Sequence, residues 1–213
     1  MFFKEYMRST FSKLKFLPLA VLAAALFLSL PALAQTDSAK KYVQDVGDKV
    51  LAIISNKSQS DDAKEKKLIG IFNQTVDTEW MSRFVLGHYY RQATPAQLKK
   101  YKDLYRQYVL ESYVPKFRQY TGEKFQITSA RQDGDSEYLV QTEILRPNQE
   151  SVRVDYRLAG KGGGLKIVDI IVEGVSLINT QRSEFGSVIS REGFDSLITK
   201  LDGMVKDYNS AHG

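Results

Sequence analysis

The chain has 213 residues, no cysteine and two histidines, with a formal charge of +5 at pH 7. Disulfides and cysteine-built metal sites are therefore excluded. The first 34 residues carry Lys4, Arg8, Lys13 and Lys15 against Glu5, a net +3 that leaves +2 for the remainder, too little for the electrostatic footprint of a nucleic-acid binder.

The opening segment reads as a secretory presequence. Its four cations form a basic start, Leu17–Leu30 is apolar, and Pro31 breaks that run. Ala32-Leu33-Ala34 is a small-x-small site, so cleavage is expected before Gln35. An uncleaved membrane anchor is the competing reading, but Leu17–Leu30 is short for a full span. The expected organisation is a presequence over 1–34 and one domain over 35–213, located in the bacterial periplasm. Those 179 of 213 residues are enough for one core.

The first half is helical. Ala39, Val43, Val46, Val50 and Ile54 form one apolar stripe at helical spacing. Ser60-Asp61-Asp62 opens a second helix, with Leu68, Ile69 and Phe72 on its apolar face. Asp77-Thr78 opens a third, which carries Trp80, Met81, Phe84 and Val85 and ends or bends at Gly87. Thr94-Pro95-Ala96-Gln97 combines a cap, a proline at the first helical position and a glutamine that completes a capping box. The helix it starts repeats Leu98, Tyr101, Tyr105, Tyr108 and Ser112, and Pro115 should kink or break it. Tyrosines at this spacing suit a core, or the rim of a lipid pocket where the rings touch acyl chains and the hydroxyls face water.

Four strands are expected next, at Phe125–Thr128, Tyr138–Ile144, Ser151–Leu158 and Leu165–Val172. Asp133–Ser136, Pro147–Glu150 and Lys161–Gly164 supply the turns of an antiparallel meander. The third strand alternates cleanly, with Val152, Val154, Tyr156 and Leu158 on one face. Beyond Glu173-Gly174 the chain stays apolar through Val175, Leu177 and Ile178. Asn179 or Thr180 can then cap a helix bearing Phe185, Val188 and Ile189. This apolar connection either seals a core or lines a cavity for an apolar ligand. Phe194, Leu197, Ile198, Leu201, Met204, Val205 and Tyr208 mark a closing helix.

Catalytic patterns are sparse. A Ser-His-acid triad would have to use His88, because His212 is next to last, and there is no G-x-S-x-G. The glycines at 162–164 lie between two strands and do not form a phosphate loop. Asp169, inside an apolar strand, is either a general base or a structural hydrogen-bond partner. No catalytic group, metal or cofactor is expected.

Two long stretches carry a family resemblance. Val85-Leu86-Gly87-His88-Tyr89-Tyr90-Arg91-Gln92-Ala93-Thr94-Pro95-Ala96-Gln97 resembles the motif before the long helix of the MlaC, or toluene-tolerance Ttg, family. Glu173-Gly174-Val175-Ser176-Leu177, continuing through Thr180 to Gly186, resembles that family's later motif. The resemblance implies an α+β fold in which a four-stranded antiparallel sheet curls against helices, similar to NTF2-like proteins, around an apolar lipid cavity. It implies a periplasmic phospholipid carrier that maintains outer-membrane lipid asymmetry. The implied partners are an inner-membrane ABC transporter with an MCE-domain ring and an outer-membrane lipoprotein–porin complex. Acyl-chain contact is then expected from Val154, Tyr156, Ile170 and Val172 on the sheet and from Val175, Leu177 and Ile178 in the connection. Val85, Tyr105, Tyr108 and Phe185 are expected to join them from the helices. An NTF2-like enzyme using Asp169 and a periplasmic protein-binding adaptor are the competing classes.

Overall fold

A computed structural model describes residues 30–114, 117, 122–147, 149–161 and 164–212. The basic start and apolar run of the expected presequence, and the expected break at Pro115, lie outside the described residues. The chain divides into Met1–Gln35 and Thr36–Gly213, and the fold and cavity belong to the second unit.

The helices are α1 (Leu30–Ile54), α2 (Asp61–Thr75), α3 (Thr78–Leu86), α4 (Pro95–Tyr113), α5 (Leu177–Glu192) and α6 (Phe194–His212). A short 3₁₀ turn, Gly87–Arg91, joins α3 to α4. Local chemistry sets the starts. Ser60 and Asp77 accept from Ala63 N and Trp80 N. Thr94 and Gln97 close a reciprocal capping box at α4. Such a cap contributes about 1 kcal/mol by satisfying backbone donors that a helix start leaves open. Gly87 ends α3 at φ 54°, where any Cβ would meet the Arg182 guanidinium at 2.8 Å.

The strands are β1 (Lys124–Gln132), β2 (Glu137–Leu145), β3 (Val152–Lys161), β4 (Gly164–Val172) and β5 (Val175–Ser176). They pair antiparallel in sequence order as an open sheet. The fifth strand was not expected. Glu173 and Gly174 adopt φ 48° and 82°, folding the chain back so that Val175 and Ser176 pair with Val172 and Ile171. The start of α5 also differs from expectation. Its cap is Ser176, not Asn179 or Thr180, because the Ser176 hydroxyl accepts from Asn179 N at 3.2 Å. That hydroxyl also donates to Asp169 at 2.7 Å.

Two main apolar clusters result. One is helical and unites Val85, Tyr101, Tyr105, Ile178, Phe185 and Leu201 among others. The other joins α1 to the sheet through Ala39, Val43, Tyr138, Val140, Leu158 and Ile167. Each fully buried large apolar side chain contributes roughly 1.5–3 kcal/mol. The buried phenols keep polar partners: Tyr101 donates to the Ser82 carbonyl at 3.1 Å and Tyr105 to Gln181 Oε1 at 2.7 Å. Asp169, 1% exposed, accepts from Ser176 Oγ and from Ile178 N, so the buried carboxylate ties β4 to the N-terminus of α5. Desolvation raises its pKa, and those hydrogen bonds oppose the rise.

Candidate functional site

A cavity of about 670 Å³ lies between the sheet and the helices. The stripe of α1 supplies Val43, Val46, Val50 and Ile54, with Leu51 and Gly47 beside it. Leu68, Ile71 and Phe72 of α2 form the next wall, and α4 adds Val109 and Tyr113. The sheet contributes Phe125, Ile144, Val154, Tyr156, Ile167 and Ile170. Alternation explains that set: Val154 and Tyr156 point one way along β3, and the register places Ile170 opposite Tyr156. Leu177 and Gln181 reach in from α5.

Side-chain exposure separates cavity wall from packed core. Val46, Val50, Val154, Tyr156 and Ile170 are only half-buried although they face the interior, whereas Val140 and Leu158 are fully buried on the same sheet face. The Tyr156 phenol sits deep enough that desolvation pushes its pKa up to about 12. Its ring meets Phe125 edge-on at 6.3 Å. Phe125 lies directly on Gly47, where a Cβ would stand 3.0 Å from two ring carbons. The glycine is thus a site of close helix–sheet approach, which offsets its poor helix propensity. Burial likewise pushes Tyr113 up to about 12. Besides Thr75 and Gln181, the wall includes Glu123 and Arg146, both half-buried, and Phe117 and Gln149, which are exposed and mark the opening.

Of the residues expected to contact acyl chains, the structure gathers Val154, Tyr156, Ile170 and Leu177 at the wall. Val85, Tyr105, Ile178 and Phe185 lie instead in the helical core, each at most 4% exposed. Tyr108 packs on that core, its ring 6.0 Å from Phe185. Val172 faces the same way as Val154 but is not part of the wall, and Val175 is 57% exposed at the sheet edge. The physical reason is helical rotation. Leu177 and Gln181 share one face of α5, whereas Ile178, Phe185 and Ile189 share the face turned to the helical core. The α1 and α2 walls and Phe125 were not expected to line a cavity. Their signal was present as apolar stripes, which read the same whether they face side chains or empty space.

Asp169 does not line the cavity, and its oxygens are engaged by β5 and α5, which is the structural alternative for that residue. Among the described residues no cluster of three His, Asp or Glu side chains is placed to hold a metal, and no helix is long and apolar enough to cross a membrane.

An open antiparallel sheet covered by helices around an apolar cavity defines an α+β protein built to hold an apolar ligand. Comparison with known proteins makes the family plain: the MlaC protein family matches residues 44–203, and the chain belongs to it. One relative is the intermembrane phospholipid transport system binding protein MlaC of Haemophilus influenzae, 26% identical over 130 residues, or 59% of this chain and 61% of that protein. Another is the toluene tolerance protein Ttg2D of Pseudomonas putida, 25% identical over 134 residues, or 62% of each. The chain thus spans about three fifths of the length of these curated relatives. Among solved structures, a phospholipid-binding protein from Ralstonia solanacearum in complex with a phospholipid is 25% identical, with a TM-score of 0.68. That match covers 78% of this chain and 96% of the other.

Proposed function

We propose that this chain is a periplasmic phospholipid carrier which holds acyl chains in the cavity and passes lipid between the two membranes. The observation that carries the reading is the cavity of about 670 Å³ with a predominantly apolar wall. The phospholipid bound to the Ralstonia solanacearum protein of similar fold supports it. So do the names of the H. influenzae and P. putida relatives.

The energetics suit a carrier. A two-chain lipid has roughly 30 methylenes worth about 0.8 kcal/mol each, so about 24 kcal/mol opposes its escape into water. A protein that replaces the bilayer interior with an apolar sleeve removes that barrier without a reacting group, so the chain acts without catalysis or a cofactor. Its partners are an inner-membrane MCE-domain ABC transporter complex and an outer-membrane lipoprotein–porin complex, with the lipid handed between them. Export with cleavage before Gln35 completes the reading.

Exchange of radiolabelled phospholipid between donor and acceptor vesicles tests the carrier role. The purified protein should accelerate exchange in proportion to its concentration. An unchanged rate at any protein concentration would defeat the proposal.

A further inference from the structure

The wall of the cavity is mostly apolar, and its charged side chains are few. Among the described residues that line it, Arg146 is the one cation and Glu123 the one anion. Glu123 has an interaction of its own. Arg146 follows β2 directly and is half-buried. Its Nε and Nη2 donate to the Glu150 carbonyl at 2.8 and 2.6 Å, so the turn between β2 and β3 holds the guanidinium in place. Nη1 has no acceptor among the described residues, and no carboxylate there forms an ion pair with Arg146.

This is an unusual position for a cation. It stands at the end of an apolar sleeve, fixed by a backbone carbonyl and, among the described residues, held in no ion pair. A guanidinium so placed presents donors in a planar fork that fits phosphate oxygens, and its field favours an anion at the opening. We infer that Arg146 is the phosphate-recognition residue of the site. It takes the phosphodiester of a diacyl glycerophospholipid whose chains occupy the cavity, and so discriminates phospholipid from a neutral diacylglycerol with the same chains.

The inference rests on the reading of the cavity as a phospholipid site, and its test separates the two. The delipidated full chain is offered an equimolar mixture of phosphatidylglycerol and chain-matched diacylglycerol, and the bound lipids are extracted. Wild type should prefer the phospholipid by about tenfold, the lower end for a charge-assisted hydrogen bond because the site is half-open to water. Arg146→Gln should bring the ratio close to one, and Arg146→Lys should fall between. An unchanged ratio in Arg146→Gln overturns the inference. Uptake of neither lipid by wild type overturns the phospholipid reading itself.

A measurement on wild type alone covers the case in which Arg146→Gln fails to fold. The ³¹P resonance of bound phosphatidylglycerol should shift and broaden relative to the same lipid in micelles. A micelle-like line on loaded protein would refute phosphate contact. Inorganic phosphate is the control: if it binds the empty protein through Arg146 while wild type shows no phospholipid preference, the site is a free-anion site and the inference fails.

Discussion

Replacing Tyr156 by glutamate places a carboxylate on the wall of the cavity, midway along β3. The loss on folding has two parts. The edge-on contact with Phe125 is worth about 0.5–1.5 kcal/mol. A polar group facing a space that water can enter costs about 1–3 kcal/mol. The sum is about 1.5–4.5 kcal/mol, and for a domain of this size each kcal/mol lowers Tm by roughly 2–4 °C. The variant should therefore fold, with Tm reduced by about 3–18 °C. Its lipid load should fall at least tenfold, because a filled cavity would press the charge against acyl chains. The assay is thermal unfolding together with moles of phospholipid extracted per mole of protein. If Tyr156 faced a packed interior, the unpaired carboxylate would exceed much of a stability of about 5–15 kcal/mol and the protein would not fold. A collapsed variant refutes the cavity, and a folded variant with a full lipid load refutes contact between Tyr156 and the chains.

Gly47→Leu should cost about 1–3 kcal/mol and reduce phospholipid load, since the new Cβ meets the Phe125 ring at 3.0 Å; lipid extraction and thermal unfolding read both effects. Ser176→Ala should cost about 2–3 kcal/mol by removing a helix cap and a hydrogen bond to a buried carboxylate, measured by urea unfolding. Asp169 has a raised folded-state pKa, so the folded protein holds its proton more tightly than the unfolded chain. The stability this group contributes is fully present below the unfolded pKa and is lost as pH rises through the folded one. Relative to Asp169→Asn, wild type should gain stability as pH falls from neutral into that window, and a constant difference across acid pH would contradict the assignment. Intact-mass analysis of the exported protein should show Gln35 as its first residue, and retention of residues 1–34 would refute the processing site.

The elements of the fold were legible wherever one local signal decided the structure. Thr94 through Gln97 announced a capping box, and both of its hydrogen bonds are present. The turn clusters at Asp133, Pro147 and Lys161 separated four strands, each longer than its central apolar run. The fifth strand escaped notice because two residues carry no period. Ser176 was passed over as a cap because it sits inside the apolar run Val175–Ile178, which reads as continuous, although its hydroxyl accepts from Asn179 N and donates to Asp169 once β4 pairs with β5.

The site was half legible. Strict alternation put Val154 and Tyr156 on one face whatever that face met. The apolar run Val175–Ile178 gave no such guide: Leu177 reaches the cavity, Ile178 the helical core, and Val175 solvent. Rotation about α5 decides among them, and it depends on packing against α3 and α4. The stripe from Val43 to Ile54 shows the deeper limit. Its spacing defines a buried face, but Val43 serves both the core and the cavity wall. Periodicity says that a face avoids water; it does not say whether protein or ligand fills the space in front of it.

The central claim is that the cavity is filled by phospholipid. Native mass spectrometry of the protein isolated from the cells that make it, followed by organic extraction of the same sample, tests it most directly. The account predicts a non-covalent mass increment that the solvent releases as glycerophospholipid. A protein that carries only its polypeptide mass, with no phospholipid in the extract, would contradict it.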